Sequence, residues 1–512
     1  MPIMLMRVTK GFHFLVLFLL ILLSSCASDK KKKAIVLYDD YCTSCHIAPS
    51  IQSLPKHLWA NEVLPEMGAR MGVRDSSFNP YKGLSYDEYE AVLKTGLYTL
   101  APIIKKKEWN LLKEYIIQQA PDSLVIPNYK IANKSLNGFV PRPISFDAIS
   151  NALYTYINVD KNNGKIKLGH MKGSLLTYDF KKDSLVINGN FSRPITAYNN
   201  INNFKYVTAV GMLNPSELAS GKIFMVNEDK VTAIPATLHR PVHTVVQDLN
   251  SDGNDEILVS EFGYLTGSLS LLKQKDSVIF DRQVLINQPG VIRVVVKDMN
   301  GDGKKDIVAL VSQGDESITI LYQENALNFR AEKVIRFSPI YGSSWFELID
   351  FDNDGDDDIV TVNGDNADKT YTPKPYHGMR LHINDGNNRF EEKYFYPMNG
   401  ATRVVSRDFD QDGDFDFGLL STFPNYENTE ESSFIYLENK NANDFIFEDF
   451  TFKESNFARW LLMDAGDVDG DGDEDIILSS FSYVFTPVPD EHTNFWKEKN
   501  TDLMILENEL NE

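Results

Sequence analysis

A ten-residue acidic motif recurs five times between residues 248 and 476 of this chain, and no other feature restricts its fold as much. The copies are DLNSDGNDEI from Asp248, DMNGDGKKDI from Asp298, DFDNDGDDDI from Asp350, DFDQDGDFDF from Asp408 and DVDGDGDEDI from Asp467. Their starts lie 50, 52, 58 and 59 residues apart, a period of stacked or radial repeats. Oxygen donors at positions 1, 3, 5 and 9, with glycine at position 6 for a sharp turn, suit a hard cation such as Ca²⁺. The expected ligands are Asp248, Asn250, Asp252 and Glu256, then Asp298, Asn300, Asp302 and Asp306. The later copies supply Asp350, Asp352, Asp354 and Asp358, then Asp408, Asp410, Asp412 and Asp416, then Asp467, Asp469, Asp471 and Asp475.

The first six positions also match an EF-hand loop, which needs a bidentate Glu at position 12. Here that position holds Val259, Ala309, Thr361, Leu419 and Leu478, so the EF-hand reading fails. The flanks agree, because VIRVVVKD enters one loop and DIVALVS leaves it, and both runs are strand-like. The formal net charge is −21, and such acidity argues against nucleic acid, whose phosphates need Lys and Arg. The five motifs together hold 24 acidic residues; without counter-ions they would be solvated turns under strong mutual repulsion. About five Ca²⁺ ions would offset roughly ten of those charges.

These motifs resemble the FG-GAP or VCBS repeats of integrin-like β-propellers, and the resemblance covers about residues 141–512. A second marker, PRPI at Arg142, SRPI at Arg193 and HRPV at Arg240, suggests two degenerate units before the five intact ones. Seven blades are therefore expected. The last unit stops after DLMILENELNE, one strand short, and a ring without edges needs that strand from elsewhere. DSLVIPNYKIANKSL, within a linker over 122–140, is the candidate.

The start of the chain, MPIMLMRVTKGFHFLVLFLLILLSSCASDKKKK, has a basic beginning, an apolar run and small residues before a cysteine, the pattern of a secretory signal. Leu23-Ser24-Ser25-Cys26 resembles the lipobox of bacterial lipoproteins. That resemblance implies a signal peptide over 1–25, lipidation of Cys26, a short tether over 26–33, and a place in the bacterial cell envelope, anchored to a membrane, with the outer membrane favoured and a periplasmic or surface-facing domain. Exported chains meet oxidising conditions.

Only Cys42 and Cys45 then remain of three cysteines, and YCTSCHIAPS carries the C-x-x-C-H signature of c-type haem attachment, with His46 as axial ligand. A redox or structural dithiol is the alternative; the thioredoxin-like form needs a βαβ context that the flanks lack. SYDEYEAVLKTGL has a capping box from Ser85 to Glu88, and Trp109, Leu112 and Ile116 share a face of KEWNLLKEYIIQQAP, so residues 34–121 read as a small all-helical module. At these residues the chain resembles the class I cytochrome c family. Tyr38, four residues before Cys42, and the helix closing on Tyr115 and Ala120-Pro121 match that family's crossing helices, with Ala34 where the family usually has Gly. The resemblance implies covalent haem c and favours Met67 as sixth ligand, with Met71 and His57 as rivals.

The expected architecture is multidomain: a small all-α cytochrome c domain followed by an all-β seven-bladed propeller with calcium-binding loops. The expected function is electron transfer or ligand binding in the cell envelope, with periplasmic or membrane redox partners and a glycan or protein ligand for the propeller. Two rivals stand beside it: a propeller-based oxidoreductase draining electrons into the haem, and a surface adhesion lipoprotein. Catalysis would need converging bases or nucleophiles, and His170, His239, His243, His377 and His382 are dispersed. Arg240 reads as a structural group that bonds carbonyls between blades.

Overall fold

The computed structural model describes residues 29–74, 78–127, 134–147, 152–228, 230–276, 279–365, 371–426 and 433–511. The expected signal segment and Cys26 lie outside the described residues. No described helix is long and apolar enough to cross a membrane. The chain forms two compact units, one of residues 1–83 with 96–124, the other of residues 84–95 with 125–512.

The first unit is helical. A helix over 29–42 leads into a turn, a second helix runs through Lys56–Leu58, Trp59–Val63 and Leu64–Arg70, and a third spans Lys106–Gln119. The middle stretch Trp59–Val63 is π-helical, a widened turn that often marks a functional position. Trp109, Leu112 and Ile116 recur at helical spacing and are all buried, as are Leu54, Trp59 and Leu64 on the preceding elements. Gly68 lies against the Trp109 ring, where an added Cβ would approach a ring carbon to 3.0 Å. Lys33 Nζ meets Glu108 Oε1 at 3.1 Å, tying the first and last helices together. The helix Tyr86–Lys94 has the expected capping box at Ser85 and Glu88. It groups with the second unit instead of the other helices, and Ser216 Oγ donates to Glu88 Oε1 at 3.1 Å.

The second unit contains seven sheets, each with a four-stranded meander or its equivalent. The first strands of the blades are Tyr154–Val159, Ile195–Ile201, Pro241–Gln247, Val291–Lys297, Ser343–Ile349, Ala401–Arg407 and Trp460–Gly466. Each packs against the next and the seventh against the first, so these strands surround the axis of a seven-bladed β-propeller. In every one of them the pairing slips by one residue at the second position, for example at Thr155, Thr196 and Ser344. Such bulges bend and twist the strand, and here the bulged hydroxyls reach the next blade. Thr155 donates to Ile195 O at 2.7 Å, Thr196 to Pro241 O at 2.9 Å and Ser344 to Ala401 O at 3.3 Å.

The second strands of blades three to seven, such as Asp306–Val311 and Asp358–Asn363, are buried along their whole length. Neighbouring sheets cover both faces, and each fully buried aliphatic side chain contributes roughly 1.5–3 kcal/mol. Between blades five and six the core is aromatic: Phe351 stacks on Phe445 at 5.8 Å and on Phe417 at 6.2 Å. Arg240 bridges blades as expected, donating to Leu213 O at 2.8 Å and to Gly263 O.

Closure departs from the expectation. The strand that completes the seventh blade is Phe139–Ile144, antiparallel to Leu503–Asn508, and not the earlier run. From that run, Lys134–Ser135 pairs in parallel with Phe450–Thr451 at the outer edge of blade six. Arg142 therefore belongs to the last blade and does not mark the start of the first one. Pro141 and Pro143 are two apart, so the missing N–H groups face the same, unpaired side of an outer strand, where proline is tolerated.

Candidate functional site

The five acidic loops share one wrapping. The position-1 carboxylate accepts backbone N–H groups from position 6 in four loops: Gly253 to Asp248 at 2.9 Å, Gly303 to Asp298 at 2.7 Å, Gly355 to Asp350 and Gly413 to Asp408 at 3.1 Å. In the seventh blade the equivalent contact comes from Gly470 to Asp467. Position 5 accepts from position 7 in all five loops, from Asn254 to Asp252 at 2.9 Å through Asp473 to Asp471 at 3.1 Å. The position-6 glycines have φ between +80° and +101°, with open space where a Cβ would stand. Backbone conformation, not crowding, requires glycine there.

Position 9 is the first residue of the buried second strand. Asp358 accepts from Phe351 N at 2.9 Å and from Asn384 N at 2.8 Å, so one carboxylate pins the loop to the third strand. Asp306, Asp416 and Asp475 repeat the arrangement with Gln323, Asn439 and Asn508. Glu256 accepts from Leu249 N at 3.0 Å, and its other oxygen is buried without a partner. Burial, reinforced by neighbouring carboxylates, pushes Asp358 up to about 6 and Asp416 and Asp475 up to about 7.

Three loops gather carboxylate oxygens within 4.8 Å of one another: Asp350, Asp352 and Asp354; Asp408, Asp410 and Asp412; Asp467, Asp469 and Asp475. In the loop of the seventh blade, Asp471 also keeps one oxygen buried and unpartnered. Sequence reasoning missed position 7, where Asp356, Asp414 and Asp473 each keep a buried oxygen with no hydrogen-bond partner. The signal was present, since only these three copies carry an acid at that position. Blades three and four differ. Asn250 and Asn300 stand at position 3, and lysines reach the position-5 acids, Lys273 to Asp252 at 3.1 Å and Lys304 to Asp302 at 2.8 Å. The donor set, all oxygen with orphaned buried carboxylate atoms, fits a hard divalent cation best in blades five to seven.

In the helical unit, Cys42 closes the first helix, half-buried, while Cys45 is exposed in the turn, and both thiols are free. Burial, then the Asp39 charge, pushes the Cys42 thiol up to about 11. That is the opposite of what a redox dithiol needs, because its thiolate must be populated near neutral pH. His46 Nδ1 lies 2.9 Å from Ile47 O, a contact in which Nδ1 carries the proton and Nε2 keeps its lone pair for a metal. Met67, on the second helix, and Met71, which caps its C-terminal end, are half-buried and joined by Met71 N donating to Met67 O at 3.0 Å, and His57 is exposed. These residues sit on different elements from His46, without a hydrogen bond or ring contact to it among the described residues. A histidine with its Nε2 free, two unpaired thiols and half-buried thioethers are donor types that fit haem c.

A cleft of about 460 Å³ beside the acidic loop of the sixth blade is lined by Phe139, Tyr436, Phe450, Asp410, Glu438 and Glu448. It places an aromatic floor next to an expected cation ligand.

The second unit is thus a seven-bladed β-propeller built from acidic-loop repeats. The model of the FG-GAP-like repeat family matches residues 298–361, from the fourth blade's loop into the fifth blade's second strand. Among solved structures, the WD40 domain of Pan2 from Neurospora crassa is similar at 11% identity over 73% of this chain and 96% of that one, with a TM-score of 0.44. The N-terminal domain of Nup159 gives 10% identity, 74% and 98% coverage and a TM-score of 0.41. The Cps50 (Swd1) propeller domain of Myceliophteria thermophila gives 10%, 65% and 95%, and 0.39. No curated protein matches the sequence.

Proposed function

We propose that this chain is a membrane-anchored c-type cytochrome whose propeller binds Ca²⁺ and serves as a binding platform, acting in electron transfer or ligand binding in the bacterial cell envelope. The observation that carries the reading is Cys42-x-x-Cys45-His46 at the end of a helix, with His46 Nδ1 on a backbone carbonyl and both thiols free. Bound haem would supply one-electron chemistry. Cys42 and Cys45 would hold it through thioethers, the Ile47 carbonyl orients the His46 ring, and Met67 or Met71 offers a soft sixth ligand.

The propeller's part is recognition. Orphaned oxygens at Asp356, Asp414 and Asp473 favour cations in the loops, and a cation there would stiffen the junction between first and second strands. The aromatic and acidic cleft beside Asp410 suits a ligand with an apolar face and polar edge, such as a glycan or a protein side chain.

The test is an optical spectrum of protein made with cytochrome c maturation machinery, oxidised and reduced, before and after carbon monoxide. The expected result is a covalent haem spectrum with no carbon monoxide binding in the reduced form, as methionine ligation requires. Absence of covalent haem in wild-type protein, or its retention in a Cys42→Ala/Cys45→Ala variant, would overturn the reading. Release of the protein from membranes by Cys26→Ser tests the anchor separately.

A further inference from the structure

The first strands converge on the propeller axis, and one position, the residue after the bulge, sets a side chain there from each blade. In blades three to six that residue is His243, Arg293, Trp345 and Arg403. The other blades place Tyr156, Ala197 and Leu462 there, so the charge occupies one side of the channel.

Arg293 Cζ lies 3.8 Å and Arg403 Cζ 4.6 Å from the centroid of the Trp345 ring. Each cation gains from the aromatic face, but two like charges around one indole repel. Among the described residues, neither guanidinium has a carboxylate within 4.0 Å. Arg293 Nε is buried without an acceptor, and Arg403 donates only to the adjacent Thr402 O, at 2.7 Å. A guanidinium carries five N–H donors, so most of those on this pair are unused by the protein.

Three acids act on the pair through space, Glu347 and Asp464 on Arg293 and Asp365 on Arg403, and all three are engaged elsewhere, Asp365 included. Glu347 accepts from Ser406 N at 2.9 Å and faces Arg407 at 3.6 Å, and Asp464 accepts from Val159 N at 2.8 Å. His243 Nδ1 accepts from Val294 N at 3.4 Å, which leaves its hydrogen on Nε2. Burial, then the Arg293 charge, pushes that imidazole down to about 3, so it is neutral at physiological pH. The same burial, with Arg293 beside it, holds Arg403 down to about 10. All three groups offer N–H donors and have too few acceptors.

We propose that Arg293, Arg403 and His243, arranged around Trp345, form an oxyanion site in the propeller channel for a carboxylate, sulfate or phosphate group. Forked guanidinium donors match such groups, and His243, Arg293, Trp345 and Arg403 are all partly exposed, so a solvated anion can reach them. The inference rests on the propeller alone and does not depend on haem.

The test titrates the full chain with sodium sulfate, phosphate and acetate by calorimetry and tryptophan fluorescence, with ionic strength held constant by chloride. Expected are saturable binding of at least one probe at one site, an emission change that Trp345→Phe removes, and roughly tenfold weaker binding in Arg293→Gln and Arg403→Gln. Arg293→Lys keeps the charge but loses the fork and should fall between. No saturable binding of any probe, or binding unchanged in both glutamine variants, would overturn the proposal. If those variants do not fold, the wild-type melting temperature decides: a rise at low-millimolar oxyanion that grows with the logarithm of concentration supports the site, and a rise only linear in concentration, the general effect of kosmotropic salts, refutes it.

Discussion

Arg142 donates from Nε to Glu507 Oε2 at 2.6 Å, joining side chains 365 residues apart across the strand pair that closes the propeller. Arg142 is about half exposed, at 49%, so this pair should contribute under about 1 kcal/mol. Closure depends more on Phe139, which is buried and meets Tyr436 at 5.4 Å and Phe409 at 5.8 Å, edge to face. Phe139→Ala should cost about 3–5 kcal/mol, and Arg142→Ala far less. Urea unfolding followed by propeller tryptophan emission measures both; the reverse ranking would refute this account of the seam.

Chelation should lower the melting temperature, and added Ca²⁺ should restore it. Full occupancy is expected at about five ions per chain. Blades five to seven should fill first, because in blades three and four Lys273 and Lys304 compete for the position-5 acids. Asp352→Ala should therefore remove a tight site, whereas Asn250→Ala should remove a weak one. Stepwise calcium titration with metal analysis would show the order.

Without a cation, Asp416 and Asp475 are held near 7, and Asp358, Asp414 and Asp473 near 6. Below those values the apo loops hold protons that a cation must displace. Affinity should thus rise between pH 5.5 and pH 8, which brackets the values of about 6 and about 7, with proton release on binding. Calorimetry in two buffers of different ionisation enthalpy reads that release directly, and a pH-independent affinity would contradict it.

Glu316 is buried, accepts Ser343 N at 3.0 Å and Ser343 Oγ at 2.7 Å, and is pushed up to about 8 by burial. Its folded value exceeds its unfolded one, so the stability it contributes is full below about pH 4.5 and is lost as pH rises through 8. Glu316→Gln keeps an acceptor and removes the titration. The variant should gain stability relative to wild type at pH 9 and show little difference at acid pH, in denaturation curves taken across the range.

Met71 caps the helix that carries Met67, one helical turn further along the chain. If Met67 is the sixth ligand, Met67→Ala should open haem to carbon monoxide while Met71→Ala leaves it closed; the opposite pattern assigns Met71.

The repeats made the blade count legible, because a glycine held near φ +90° and a carboxylate buried at the head of a strand each tolerate few substitutes. The closing strand was harder to see. FVPRPI carries two prolines, which hide strand character, while the run before it has the β-branched look of a better candidate. The helix Tyr86–Lys94 was readable from its capping box, but its grouping was not, since that depends on Glu88 meeting Ser216 far along the chain. Position 7 was visible as acid in three copies, yet its value lies in burial, which spacing alone does not give. Arg293, Trp345 and Arg403 come from three separate blades, and nothing within any one repeat marks them as neighbours.

The last blade takes its outer strand from residues 139–144 and the rest from residues 460–508. During synthesis the outer strand emerges first and waits for a partner that is made last. Such distant pairing is slow to form, and the ring stays open until it does. A propeller that breaks off early leaves Phe139 and the sixth sheet uncovered, and proteases find open edges readily. The seam thereby makes closure of the ring depend on the residues made last, since residues 139–144 have no partner until residues 503–508 are present.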